Sequence, residues 1–367
     1  MAGPQPDAEM SQKKGVVGLT NIGNTCYGNA TLQALRHQVD MTIFLLQDQH
    51  QEVLSHKPQS DRTALVNAYA SLVKELWTAE SGTIATRPFW ASMIPAAIRS
   101  GFEQFRIPMA HDAHEFLVFL LDEFHEALKE EVQMTIRSCA SPEIQSALDF
   151  WKASFEKNYS PLVELAFGLT RKSVCCEGCK KESVSWETLN ILKVSVPKQS
   201  EAVNLIDLVR AEGASEEIEG YSCDGCKPVR HKAQIRRALW RLGNWVIVTL
   251  KRNENNGRRI NTAVNIPLTL SFGEAFHPSS QEVSARDPYE LFATVHHHGS
   301  AGGGHYTAQA RHPVTGVWAH YDDESARPME GGPHLDSSTY IVMYKRVSSG
   351  SAVAGGAAAA AAVAPEA

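Results

Sequence analysis

The residues best able to do chemistry in this sequence are a cysteine near the start and a histidine followed by two aspartates near the end. Cys26 stands where the Gly/Asn-rich run Gly18-Leu-Thr-Asn21-Ile-Gly-Asn24-Thr-Cys26-Tyr-Gly-Asn29 passes into Ala30-Thr-Leu32-Gln-Ala-Leu35. That puts its thiol at a helix N-terminus, where unpaired N–H groups favour a thiolate, the nucleophilic form. A cysteine nucleophile needs a base, and the base needs a third group to fix its tautomer. Gly302-Gly-Gly304-His305-Tyr306-Thr307 and Val317-Trp318-Ala-His-Tyr321-Asp322-Asp323 supply both. His305 opens one predicted strand and Asp322 ends the next. A turn over His312-Pro-Val-Thr-Gly316 makes those strands antiparallel neighbours, so that His305 can donate to Asp322 and accept from Cys26.

A second constellation is made of sulfur. Cys176-Glu-Gly-Cys179 and Cys223-Asp-Gly-Cys226 are CxxC pairs separated by 43 residues. Two such turns present four thiolates tetrahedrally to zinc, and a site closed by sulfur on all sides is structural rather than catalytic. The long gap implies knuckles that meet across a hairpin or an extended lobe. Cys175 is a spare sulfur that can stand in for Cys176. The triplet His296, His297 and His298 cannot turn three consecutive strand residues toward one metal, and is read as structural. The basic stretch Lys251-Arg-Asn-Glu-Asn-Asn-Gly-Arg258-Arg259 is read as a solvated hairpin tip.

The elements that must position these groups divide the chain in two. Leu32, Leu35, Val39, Ile43 and Leu46 recur at helical spacing, as do Leu65, Tyr69, Leu72 and Leu76. Asp112 can cap a third helix, with Glu115 three residues on and an inner face of Phe116, Leu117, Leu120, Leu121, Phe124 and Leu128. Residues 151–167 add a short helical piece. Beyond residue 173, alternation and compact apolar runs predict strands at 192–196, 246–250, 289–296, 305–311, 317–322 and 340–345. A helical front and a sheet-rich back, with cysteine pairs between, make an α+β enzyme.

The 367 residues carry a net charge of −6, which gives no reason to expect nucleic acid as the main partner. No run of 18 apolar residues appears, so no membrane span is expected. Seven cysteines, an odd number unevenly spread, fit a reducing compartment, cytosol or nucleus. Residues 1–14 read as a flexible leader, and the Ser/Gly/Ala-rich 347–367 as a disordered tail.

In this order the pieces resemble the ubiquitin-specific proteases, papain-like deubiquitinating enzymes. Gly18 to Gln33 matches that family's Cys box. Tyr289-Glu-Leu, Gly303-Gly-His305-Tyr-Thr-Ala308, Trp318, Tyr321-Asp322-Asp323 and Tyr340-Ile-Val-Met-Tyr344 match its His box. Asp112-Ala-His-Glu-Phe116 looks like the family's Asp-Ala-Gln-Glu-Phe, with His114 in place of Gln adding a group that titrates near neutrality. Leu239 to Arg252 resembles the strand that usually ends Leu-Lys-Arg-Phe, with Asn253 in place of Phe. The resemblance covers residues 15–346 as a single catalytic domain. It implies a right hand, with thumb at 15–165, fingers at 166–240 ending in the zinc site of Cys176, Cys179, Cys223 and Cys226, and palm at 241–346. It also implies a cysteine-type ubiquitin carboxyl-terminal hydrolase with Cys26 as nucleophile, His305 as base and Asp322 as orienting acid. Asp323 is a secondary acid and Asn21 the oxyanion-hole amide. The implied partners are ubiquitin and ubiquitinated proteins, with glycines 302–304 admitting a Gly-Gly tail. A protease for a ubiquitin-like modifier, or a ubiquitin binder that does not cut, shares these motifs.

Overall fold

The computed structural model describes residues 14–136, 141–253, 258–300 and 303–347. Residues 1–13 of the expected leader, Gly302 and the tail from residue 348 lie outside the described residues. Lys14 and Gly15 are already attached: the Lys14 carbonyl accepts from Nε2 of His312 at 3.0 Å, and the Gly15 carbonyl accepts from the buried Arg36 guanidinium at 2.5 Å.

The front of the chain folds into α1 (Cys26–Leu35), α2 (Val39–Leu46), α3 (Gln49–Ser55), α4 (Asp61–Thr78), α5 (Arg87–Arg99), α6 (Ala113–Leu128), α7 (Pro142–Phe155) and α8 (Pro161–Ala166). The predicted inner face of α6 is buried throughout. Six apolar side chains at about 1.5–3 kcal/mol each outweigh a cap worth about 1 kcal/mol. Packing therefore makes this helix, and Asp112 fixes where it begins by accepting from the His114 N–H at 2.6 Å. Glu115 is exposed. A reciprocal capping box does form on α4, between Ser60 and Thr63. The single piece expected at 151–167 is two helices, the first starting at Pro142 with Ser141 accepting from the Ile144 N–H. No expectation covered α5, because Pro95 lies inside it. Phe89, Trp90, Met93, Ala96 and Ala97 bury its inner face and override the proline.

The back of the chain supplies β1 (Gly168–Cys176), β2 (Glu182–Leu189), β3 (Leu192–Ser195), α9 (Leu205–Ala211), β4 (Glu216–Tyr221), β5 (His231–Arg241) and β6 (Trp245–Lys251). Then come β7 (Tyr289–Ser300), β8 (Gly303–Arg311), β9 (Trp318–Asp322), β10 (Ser325–Pro328) and β11 (Thr339–Arg346). The long sheet runs β10-β9-β8-β7-β11-β6-β3, antiparallel except at β6–β3. A four-stranded antiparallel sheet, β2-β1-β5-β4, carries the cysteine pairs.

One face of the long sheet closes on the helices. Val295, Tyr306, Ala308, Ala310, Ala319 and Tyr321 share a core with α1, α4 and α6. The other face packs on α9 through Val246, Val248, Leu250, Leu208 and Val209. A third cluster, with Trp151, Trp186 and Trp240, seats the four-stranded sheet on α7. The arrangement is α+β.

Every residue of α1 is buried, because the helix lies between α6 and β8. Gly28 is what admits it: a Cβ there would meet the Trp90 ring at 2.6 Å. Trp90 is held in turn by stacking on Phe116 and by edge contacts with Tyr27 and Phe89, so it cannot yield. Gly28→Ala is expected to destabilise the chain by about 1–3 kcal/mol, measured by urea denaturation. An unchanged midpoint would show that the helix can shift.

Candidate active site and metal centre

The nucleophile loop is a strap between two lobes. Gly18–Leu19 pairs in parallel with Thr83–Ile84, and the Leu19 N–H donates to the Asp323 carbonyl at 2.7 Å. Asn21 organises the loop from there to the helix. Its Oδ1 accepts from the N–H groups of Gly23 (2.9 Å) and Thr25 (3.2 Å), which folds the loop into the first turn of α1. Its Nδ2 donates to Asp323 Oδ2 at 2.8 Å. Cys26 then enters the helix with only 4 % of its surface exposed.

His305 and Asp322 meet as the strand register requires. β8 and β9 pair Ala308 with Tyr321 and Gln309 with His320, leaving His305 and Asp322 at the open end of the ladder. Nε2 of His305 lies 2.5 Å from Asp322 Oδ1, and both side chains are nearly half exposed, at 45 % and 44 %. With Nε2 committed to the carboxylate, Nδ1 is the ring atom free to take a proton. No hydrogen bond joins the Cys26 sulfur to that ring among the described residues. The two share one cleft, since α1 packs along β8 and the Tyr306 backbone N–H acts on the Cys26 sulfur.

The thiol does not behave as a helix terminus alone dictates. Its pKa is raised above the ordinary 9.0, chiefly by burial and further by the Asp323 charge. The backbone N–H groups of Tyr306, Tyr27 and Cys26 pull the other way and do not prevail. A helix N-terminus is worth about 0.3–1 kcal/mol, which burial overcomes. The expected thiolate is thus corrected: undisturbed, Cys26 rests as a thiol.

Asp323 sits in the left-handed region, with φ of +46°, in the turn that links β9 to β10. Its two oxygens are claimed by two amides, Oδ2 by Asn21 and Oδ1 by Asn29 Nδ2 at 2.8 Å. Sequence reading assigned Asn29 no role. The available signal was its place one helical turn beyond Cys26.

The cleft continues along the sheet. Tyr340 donates to both oxygens of Asp112, at 2.9 and 2.8 Å, and joins the cap of α6 to β11. His114 bonds the Thr249 hydroxyl at 3.0 Å. Burial, then Lys193, push its pKa below 6.5, so it titrates below the neutral range expected of it. The histidine triplet alternates as strand residues must. His296 and His298 stack on one side, while His297 stacks on Tyr306 at 4.4 Å on the other. Burial drives His296 to about 3 and His297 to about 4, leaving both neutral. In the basic stretch at 251–259, Asn253 and Arg258 are exposed, while the arginines beside them are anchored. Arg252 is 1 % exposed and donates to the carbonyls of Thr339, Ile260 and Thr262. Arg259 contacts Nδ1 of His297 at 2.9 Å. Residues 254–257 lie outside the described residues.

At the far end of the four-stranded sheet the two CxxC turns converge. Sulfur atoms of Cys176 and Cys226 are 3.9 Å apart and those of Cys179 and Cys223 are 3.6 Å apart. All four lie within 4.8 Å of one another. Tetrahedral zinc with Zn–S bonds of about 2.3 Å needs sulfur separations of about 3.8 Å, so the donor set fits a metal ion. Cys179 is drawn down to about 7, first by the Lys181 backbone N–H, while Cys226 is driven up to about 12, first by Cys179. A dication among the sulfurs would relieve that repulsion. Cys175 stays outside the cluster, near the Lys180 carbonyl at 3.7 Å.

Comparison with known proteins agrees with this geometry. The family model described as ubiquitin carboxyl-terminal hydrolase matches residues 17–344. The chain belongs to the ubiquitin carboxyl-terminal hydrolase family. It is 28 % identical over 348 residues to ubiquitin carboxyl-terminal hydrolase 2 of Rattus norvegicus, covering 91 % of this chain and 54 % of that protein. The human protein of that name is 29 % identical over 350 residues, with 91 % and 56 % covered. The chain thus spans about half the length of these relatives. A yeast SAGA DUB module structure superposes with a TM-score of 0.67 at 20 % identity, covering 94 % of this chain and 71 % of that one. The SAGA Ubp8/Sgf11/Sus1/Sgf73 DUB module bound to ubiquitin aldehyde has a TM-score of 0.67 at 18 % identity, with 93 % and 71 % covered. These likenesses give the fold, helices packed on a long sheet with a separate cysteine-bearing sheet.

Within that fold the Asp323 charge acts on the Cys26 thiol as well as on Asn21. Asp323→Asn removes a negative charge that disfavours the thiolate. Alkylation of Cys26 by iodoacetamide is therefore expected to speed up at fixed pH, with its pH midpoint lowered. A midpoint that stays or rises would contradict the electrostatic assignment.

Proposed function

We propose that this chain is a thiol-dependent deubiquitinase that hydrolyses the isopeptide or peptide bond after the C-terminal glycine of ubiquitin. The observation that carries this reading is the His305–Asp322 pair, closed at 2.5 Å in the cleft where Cys26 begins α1. Family membership supports it, as does a fold-level likeness to a module described as bound to ubiquitin aldehyde.

In this reading Nδ1 of His305 accepts the Cys26 proton and the sulfur attacks the glycine carbonyl. Asp322, held at Nε2, fixes the tautomer and stabilises the imidazolium. The developing oxyanion is met by the Nδ2 proton of Asn21 not given to Asp323 and by the N–H of Cys26. His305 then protonates the departing lysine amine, leaving a thioester on Cys26. Water attacks that thioester with His305 as base, and ubiquitin leaves as its carboxylate. Asp323 acts by orienting Asn21. The metal we assign to Cys176, Cys179, Cys223 and Cys226 is one structural zinc ion. When bound it locks two turns into one rigid tip, and no chemical step passes through it.

Partners in this reading are ubiquitin and ubiquitinated proteins. No helix among the described residues is long and apolar enough to cross a membrane. Cysteine used as nucleophile and as metal ligand supports a reducing compartment, cytosol or nucleus.

Two measurements test the proposal. Parent enzyme should form a covalent adduct with a ubiquitin probe bearing a C-terminal electrophile, mapping to Cys26, and Cys26→Ala should form none. A ubiquitin-like probe that reacts faster than ubiquitin would replace the substrate. Elemental analysis should find one zinc per chain, lost in Cys223→Ser, with KM for a fluorogenic ubiquitin amide raised more than kcat is lowered. Full zinc retention by that variant would overturn the ligand set.

A further inference from the structure

An oxyanion donor accelerates a reaction only if it already points at the place where charge will develop. Asn21 is held on three sides. Its Oδ1 is occupied by the loop's own N–H groups and its Nδ2 by Asp323. The third hold is on the backbone: the Asn21 N–H donates to Oε1 of Glu324 at 2.7 Å. Glu324 comes directly after the two aspartates and is itself anchored. Its carbonyl accepts from the Thr83 hydroxyl at 3.2 Å. Gly18 lies so close to it that a Cβ at Gly18 would meet the Glu324 carbonyl oxygen at 2.1 Å. The positive φ of Asp323 reverses the chain, so the carboxylates of Asp323 and Glu324 reach the same asparagine, one at its side chain and one at its backbone.

We propose that Glu324 is a positioning residue for catalysis, which holds the Asn21 backbone in the register that aims its amide at the oxyanion. This rests on the deubiquitinase reading above. Glu324 is exposed, so its side chain adds little to the packed core. Its carboxylate gives a charge-assisted bond to an N–H, and a glutamine carbonyl can replace that bond without the charge.

The decisive comparison is Glu324→Ala against Glu324→Gln in steady-state cleavage of a fluorogenic ubiquitin amide. Outright loss of an oxyanion donor costs about 10²–10³ in rate; loosening one should cost less, about tenfold in kcat for the alanine variant, with KM unchanged. The glutamine variant should stay within about twofold of the parent, because the acceptor survives. Alkylation of Cys26 by iodoacetamide, which develops no oxyanion, should be equal in all three. In an Asn21→Ala background, Glu324→Ala should cost nothing further. An alanine variant with normal kcat, a loss confined to KM, alkylation slowed in step with turnover, or additive losses with Asn21→Ala would each overturn the assignment. Hydrogen exchange at the Asn21 amide gives a readout independent of turnover. It should quicken in Glu324→Ala but not in Glu324→Gln, and equal exchange in all forms would overturn the proposal. A parent enzyme without turnover would instead overturn the deubiquitinase reading.

Discussion

The structure depends on a seam between the loop that ends at Cys26 and the turn that holds Asp322, Asp323 and Glu324. Leu19, Asn21 and Asn29 on one side bond Asp323 and Glu324 on the other, through backbone and side chain alike. Each of these hydrogen bonds nets about 1 kcal/mol, so no one of them holds the lobes together. The apolar core shared by α1, α4, α6 and the inner face of the long sheet does that. What the seam adds is alignment, because it ties the loop that ends at Cys26 to the turn bearing Asp322. Removing the cost of orientation in advance is a main source of enzymatic rate enhancement.

The same closeness has an electrostatic consequence. Cys26 is buried beside a carboxylate, and both conditions favour the neutral thiol. Asp323 therefore has two opposed effects, disfavouring the thiolate while fixing the Asn21 amide that the proposed reaction turns toward the oxyanion. The imidazole and Asp322, by contrast, stand nearly half in solvent. In the proposed reaction, substrate entering the cleft would exclude water from that pair and strengthen it, because charge–dipole interactions grow as the local dielectric falls.

Much of this was legible in the sequence because it is local. The apolar repeat of α6, the alternation of Leu192, Val194 and Val196 and the CxxC spacing are patterns of neighbouring residues, and they reappear as a helix, a strand and two facing turns. The four cysteines lie together across 43 residues, at separations that fit one metal ion. Contacts between residues some three hundred positions apart carry no periodicity. Glu324 drew no reading at all, and Asn29 stood only as the end of the Gly/Asn-rich run before the helix. Helix α5 was hidden by Pro95, whose intrinsic cost is overcome by aromatic packing that only the tertiary fold supplies. Likewise, the helix terminus at Cys26 could be read locally, whereas its burial is set by β8 and α6.

The order of strands in the long sheet carries a consequence for how the chain is born. Strand β11, the last described in sequence, lies at the middle of the sheet, between β7 and β6. During synthesis the strands on its two sides, β7 to β10 and β6 with β3, emerge first as two ribbons with no strand between them. Only when Thr339–Arg346 emerges can those ribbons be zipped together, and contacts so distant in sequence are slow to form.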